Sequence, residues 1–117
     1  MIRLHRVYDS PVKVTGKRFL VERLWPRGVK KKDLNLDEWL PEAAPSHELR
    51  KWFKHDPAKW DEFRQRYEAE LDANPQAWQP LMDAASNGNI VLLFSSKDTK
   101  HNNVAALKSY LERRLLD

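Results

Sequence analysis

Three short stretches concentrate the side chains able to do chemistry. The densest is Ser95-Ser96-Lys97-Asp98-Thr99-Lys100-His101-Asn102-Asn103, where hydroxyls, ammonium groups, a carboxylate, an imidazole and two amides fall within nine residues. It follows the most apolar run of the chain, Ile90–Phe94, and leads into a helical pattern. Free N–H groups at a helix start, with Lys97 beside them, suit an anion. Asn102 is placed to orient such a ligand and Ser95 to bind it. His101 and Asp98 are the groups able to move a proton near neutral pH. Ser95 lacks a Gly-x-Ser-x-Gly elbow and is not expected to be a nucleophile. The plainer alternative is a capped helix with a polar first turn.

The second stretch is Glu22-Arg23-Leu24-Trp25-Pro26-Arg27-Gly28. Arg23 and Arg27 are able to grip phosphate or carboxylate bidentately, and Trp25 offers a stacking face. The structural reading pairs Glu22 with Arg23 and buries Trp25, and it is favoured for Glu22 and Trp25. Arg27, in a Pro-Arg-Gly turn, is balanced between structure and function. The third stretch, Arg50-Lys51-Trp52-Phe53-Lys54-His55, interleaves bases with aromatics. That pattern can bind single-stranded nucleic acid, but on an amphipathic helix the aromatics are expected to bury.

Other chemistries lack their residues. There is no Cys, so thiolate metal sites and disulfides are excluded. The four His residues show no ligand spacing. Three glycines form neither a phosphate-loop nor a dinucleotide fingerprint. No metal and no cofactor is expected.

The elements that must position these groups can be read from periodicity. Strands are expected at Ile2–Tyr8, Arg18–Trp25 and Ile90–Phe94, the last central, with a short one in Leu34–Leu40. Asp9-Ser10-Pro11 reads as a turn, Lys13 to Gly16 as a short loop, and Lys30–Asp33 as a charged turn. Helices are expected behind Ser46, Asp56-Pro57 and Asn74-Pro75, each a capping residue, and Asn87-Gly88 stops the third. Their apolar faces are Leu49, Trp52 and Phe53, then Trp60, Phe63, Tyr67 and Leu71, then Trp78, Leu81, Met82 and Ala85. A last helix, capped by Asp98 or Thr99, carries Val104, Leu107, Leu111 and Leu115 on one face. The order predicts one α/β domain over residues 1–117, a small, mostly parallel sheet flanked by helices, with ligands at the strand-to-helix edge.

Charge is uneven along the chain. Residues 1–32 hold ten Lys/Arg against two acids, a local excess of +8, while the remainder carries −4. A basic quarter on an acidic body points to an anionic partner. No apolar run reaches membrane-spanning length, and the N-terminus lacks a signal-peptide core, so a cytoplasmic address is expected and no membrane partner.

In combination, Leu24-Trp25-Pro26-Arg27-Gly28, Ala44-Pro45-Ser46, Leu49-Arg50-Lys51-Trp52-Phe53, His55-Asp56-Pro57, Trp60 to Tyr67 and Lys97-Asp98 to His101-Asn102 resemble the YeaO-like family. These are small bacterial proteins grouped as a domain of unknown function. The resemblance spans nearly the whole chain. Glu22 stands where the family usually has Asp, a longer arm with the same charge. The resemblance implies an α/β fold and a bacterial cytoplasmic setting, and brings no established activity.

The expected function is therefore binding of a small phosphorylated or nucleotide-like anion at the strand ends, by Arg23, Arg27, Ser95, Lys97 and Asn102 with Trp25 as a stacking face. His101 and Asp98 are the catalytic candidates, and whether there is catalysis stays open. One alternative is a nucleic-acid-binding module using the basic first quarter and residues 50–55. The other is a protein-interaction module using exposed Trp residues.

Overall fold

The computed structural model describes residues 1–9 and 15–116. Its central element is β4 (Ile90–Phe94), five apolar residues that are all buried. A strand in the interior of a parallel sheet has both faces covered, and this sequence has no polar residue to expose. β1 (Ile2–Arg6) pairs with it on one side and β2 (Lys17–Leu20) on the other. β3 (Glu38–Trp39) adds to β2, giving the all-parallel order β1-β4-β2-β3.

The register divides the core in two. Ile2, Leu4 and Phe19 lie beside Ile90 and Leu92. They face a layer built by α3 (Trp60–Ala73), α4 (Pro75–Asn87) and α5 (Asn103–Leu115). Phe63, Tyr67 and Leu71, spaced as expected, are the buried stripe of α3. On the opposite face Leu20, Val91 and Leu93 are covered by Val7, Trp25 and Leu36, which belong to no helix. α3, α4 and α5 thus flank one face, and mainly irregular segments close the other.

Several local expectations are revised. The second strand ends at Leu20 instead of reaching Trp25, because Glu22 and Arg23 turn away to bond with other loops. Lys31–Leu34 forms a four-residue helix, α1, where a charged turn was expected. Asp56 does cap, accepting from Ala58 N, but it opens a 3-10 turn, Pro57–Lys59, that leads into α3. Asn74 precedes α4 without a side-chain cap, and Ala77 N bonds its backbone carbonyl instead. Asn102 caps α5, accepting from Ala105 N, so neither Asp98 nor Thr99 does. The expected turn at Asp9-Ser10-Pro11 and loop at Lys13 to Gly16 lie mostly at residues 10–14, outside the described residues. No helix is long and apolar enough to cross a membrane among the described residues.

Leu92 sits between Leu4 and Phe19 with no exposure. Leu92→Ala should lower unfolding free energy by about 3 kcal/mol in urea denaturation, the cost of a core cavity. Leu24→Ala, at an exposed side chain, should change it by less than about 0.5 kcal/mol.

Candidate functional site

In a parallel sheet every strand delivers its following loop to the same edge. Here the chain leaving β2 turns toward β3, while the chain leaving β4 enters α5, which packs on β1 and β4. The two loops diverge, and such a switch point opens a crevice at the carboxyl edge. A cleft of about 560 Å³ lies there, within the roughly 300–1,000 Å³ typical of small-molecule sites. Glu22 enters it from the β2 loop, and Ser95, Ser96, Lys97 and Asp98 from the β4 loop. The start of α5 adds Asn102 and Asn103. Pro45, Arg50, Phe53, His55 and Phe63 form the rest of the wall.

Short-range bonds hold each loop in place. Glu22 Oε1 accepts from Ser95 N at 3.0 Å and from Ser95 Oγ at 3.2 Å, tying the β2 loop to the β4 loop. Asn103 Nδ2 donates to Val21 O at 2.8 Å across the same gap. Asp98 accepts from Lys100 N and His101 N through Oδ1, and its Oδ2 lies 3.0 Å from His101 Nδ1. Arg6 Nε donates to Ser96 O at 2.9 Å. The far wall is set by Ser46, the N-cap of α2 (His47–Phe53). Its N and Oγ both donate to the Glu70 carboxylate, and its Oγ accepts from Leu49 N. α2 carries Arg50 and Phe53 to the cleft. It ends in two successive left-handed residues, Lys54 (φ 49°) and His55 (φ 56°), an uncommon backbone for side chains with a Cβ.

Electrostatics follow from this geometry. Burial pushes the Glu22 carboxyl above its usual range, opposed by the two Ser95 bonds and by the charges of Arg50 and His55. The backbone donors of His101 and Lys100 pull Asp98 down to about 2. Arg50 and Lys97 make no ion pair among the described residues. Among those residues, no cluster of three or more His, Asp or Glu is placed to hold a metal ion.

Of the residues expected at the site, Ser95, Lys97, Asp98 and Asn102 share the cleft. Asn102 is committed to structure: Nδ2 donates to Asp98 O, and Oδ1 caps α5. His101 is not in the lining. It pairs with Asp98 and sets its ring edge-on to Trp60 at 5.3 Å. Arg23 also stands outside the lining, because its guanidinium serves the wall instead. It donates to Ala44 O and Pro45 O, both at 3.1 Å, and reaches Glu42 at 3.7 Å. Glu22 therefore does not pair with Arg23. Arg27 is exposed, and its carbonyl accepts from Tyr8 Oη. Trp25 covers the other face of the sheet, T-shaped against Trp39 and donating to Val29 O. Neither joins the cleft.

The lining residues not assigned to this site from the sequence are Glu22, Pro45, Arg50, His55, Ser96, Asn103 and the two phenylalanines. Arg50 and His55 were visible only as part of a basic–aromatic pattern. The aromatics of that pattern are engaged: Phe53 is buried against Phe63, and Trp52 lies under Arg66 and Lys59 at 4.5 and 5.1 Å.

A family model described as the inactive DUF488-N3 subclade matches residues 1–117. The chain belongs to this family. It is also 44% identical to the uncharacterised protein YeaO of Escherichia coli, over 94% of this chain and 96% of that one. The YeaO-like resemblance carried by the motifs is thereby shown. Uncharacterised proteins of Mycobacterium bovis and Mycobacterium tuberculosis are 44% identical over 60% of this chain and 59% of theirs. No solved structure matches.

The raised Glu22 pKa has a definite consequence for stability. A carboxyl whose folded pKa exceeds its unfolded value adds stability below the unfolded value, which is lost as pH rises through the folded one. The non-titrating Glu22→Gln should therefore gain in Tm relative to the parent as pH rises from 4 to 7. A gap that shifts the other way in thermal melts would mean that the carboxylate is favoured by folding.

Proposed function

We propose that this cleft binds a small phosphorylated or nucleotide-like anion. The observation that carries the reading is the pair Arg50 and Lys97, two cations lining one concave site without an ion-pair partner among the described residues. Arginine and lysine both bind phosphate oxygens, arginine through a planar fork and lysine as a point charge. The hydroxyl of Ser96 and the amide of Asn103 line the same space as further hydrogen-bonding groups. Pro45, Phe53 and Phe63 give the cleft an apolar side for a ring.

Binding without turnover fits the family's description as inactive. In this reading Asp98 and His101 order the loop through their mutual bond and backbone contacts, and no proton transfer is asked of them. The nucleic-acid alternative loses the stacking surface it needs, since Trp52 is already covered by two cations.

Titration calorimetry with inorganic phosphate and with adenosine monophosphate should show binding to the parent. Arg50→Ala and Lys97→Ala should each weaken it about tenfold or more, the effect of losing a charge-assisted hydrogen bond. Arg27→Ala should leave affinity unchanged. Equal affinity in all four proteins would place the anion elsewhere, and no heat with either anion would end the reading.

A further inference from the structure

We infer that the anion held in this cleft is a hydroxyl-bearing phosphate ester, and that Glu22 accepts a hydrogen bond from one of its hydroxyl groups. The inference rests on the anion reading above and narrows it. Glu22 uses one oxygen, Oε1, for both Ser95 donors. Its other oxygen, Oε2, has no hydrogen-bond partner among the described residues. Oε2 is not sealed away either, because no side-chain oxygen among those residues is both buried and unpartnered. Glu22 lines the cleft, so this free acceptor is open to what enters it.

An acceptor beside two cations sets two demands on a ligand. Arg50 and Lys97 ask for negative charge, and Glu22 asks for a donor. Bare phosphate meets the first demand but sets its own oxygens against the carboxylate. An ammonium group would meet the second, yet Arg50 and Lys97 line the same cleft and repel it, and the one further carboxylate in the lining, Asp98, is already engaged by Lys100 N, His101 N and His101 Nδ1. A neutral O–H donor carried by the same molecule as the phosphate satisfies both at once. Burial has already made the Glu22 charge costly, and a donated hydrogen bond offsets that cost. Pro45, Phe53 and Phe63 offer an apolar wall for the carbon face of a sugar ring.

The test compares ribose 5-phosphate with methyl phosphate, which share the phosphate monoester and differ in hydroxyls. Calorimetry on the parent should give at least about tenfold tighter binding of the sugar phosphate, as one charge-assisted hydrogen bond supplies. Glu22→Gln removes the negative charge with little change of shape. It should tighten methyl phosphate, by relieving repulsion, and bring the ratio of the two affinities toward one. Parent protein that binds the two esters equally overturns this inference and leaves the anion site standing. So does a preference that survives in Glu22→Gln. If neither ester binds the parent, this inference falls, and the titrations with phosphate and adenosine monophosphate decide the anion reading separately. Comparing ribose 5-phosphate with adenosine monophosphate then tells a free sugar phosphate from a nucleotide.

Discussion

Everything in this molecule is arranged around a strand that meets no water. β4 has five apolar residues, and burying them requires a neighbour on each edge and a cover on each face. The edges are satisfied by β1 and β2, both parallel to it. Parallel pairing in turn requires long returns to the starting end of the sheet, and α2, α3 and α4 make the return from β3. The same pairing sends every following loop to one edge. The cleft is thus a by-product of how the chain buries Ile90–Phe94.

What converts a gap between loops into a defined site is the bond between Glu22 and Ser95. It joins residues 73 positions apart and fixes the β2 loop against the β4 loop. Asn103 to Val21 repeats the tie. Arg23, the next residue after Glu22, turns outward to fasten the segment before α2 through the carbonyls of Ala44 and Pro45. Adjacent residues with opposite charge thus serve two different walls. The desolvation of Glu22 is the energetic cost of this arrangement, offset by Ser95 and by nearby positive charge.

The basic first quarter does not act as a unit. Arg6 reaches the carbonyl of Ser96, Arg23 holds the cleft wall, and Arg27 and Lys30–Lys32 are exposed. The cations that line the cleft, Arg50 and Lys97, come from outside that quarter, from the part of the chain with net negative charge. Similarly, the five Trp residues have separate tasks. Trp78 is buried with its N–H on Leu71 O, and Trp60 backs His101. Trp25 and Trp39 meet on the sheet's other face, and Trp52 lies beneath cations.

The sequence by itself determined the α/β class, the central strand, the start of α2 at Ser46 and the apolar stripe of α3. It also placed Ser95, Lys97 and Asp98 together at the carboxyl edge of the sheet. These are local properties: periodicity and capping depend on neighbours within a few positions, and a loop that follows a buried parallel strand must emerge at the carboxyl edge. Only the tertiary structure decided which distant charges share a space. Glu22 and Arg23 read as an ion pair because they are adjacent, yet each is held by a different loop, Glu22 by Ser95 and Arg23 by the carbonyls of Ala44 and Pro45. Arg50 read only as part of a basic–aromatic pattern, and the docking of its helix through Ser46 and Glu70 set it in the cleft. Trp25 and Arg27 were expected at the end of a strand running to Trp25, with a structural role favoured for Trp25 and Arg27 balanced, and the early end of β2 sets both outside the cleft. Side-chain direction at a loop is fixed by partners remote in sequence, and no spacing rule encodes those partners.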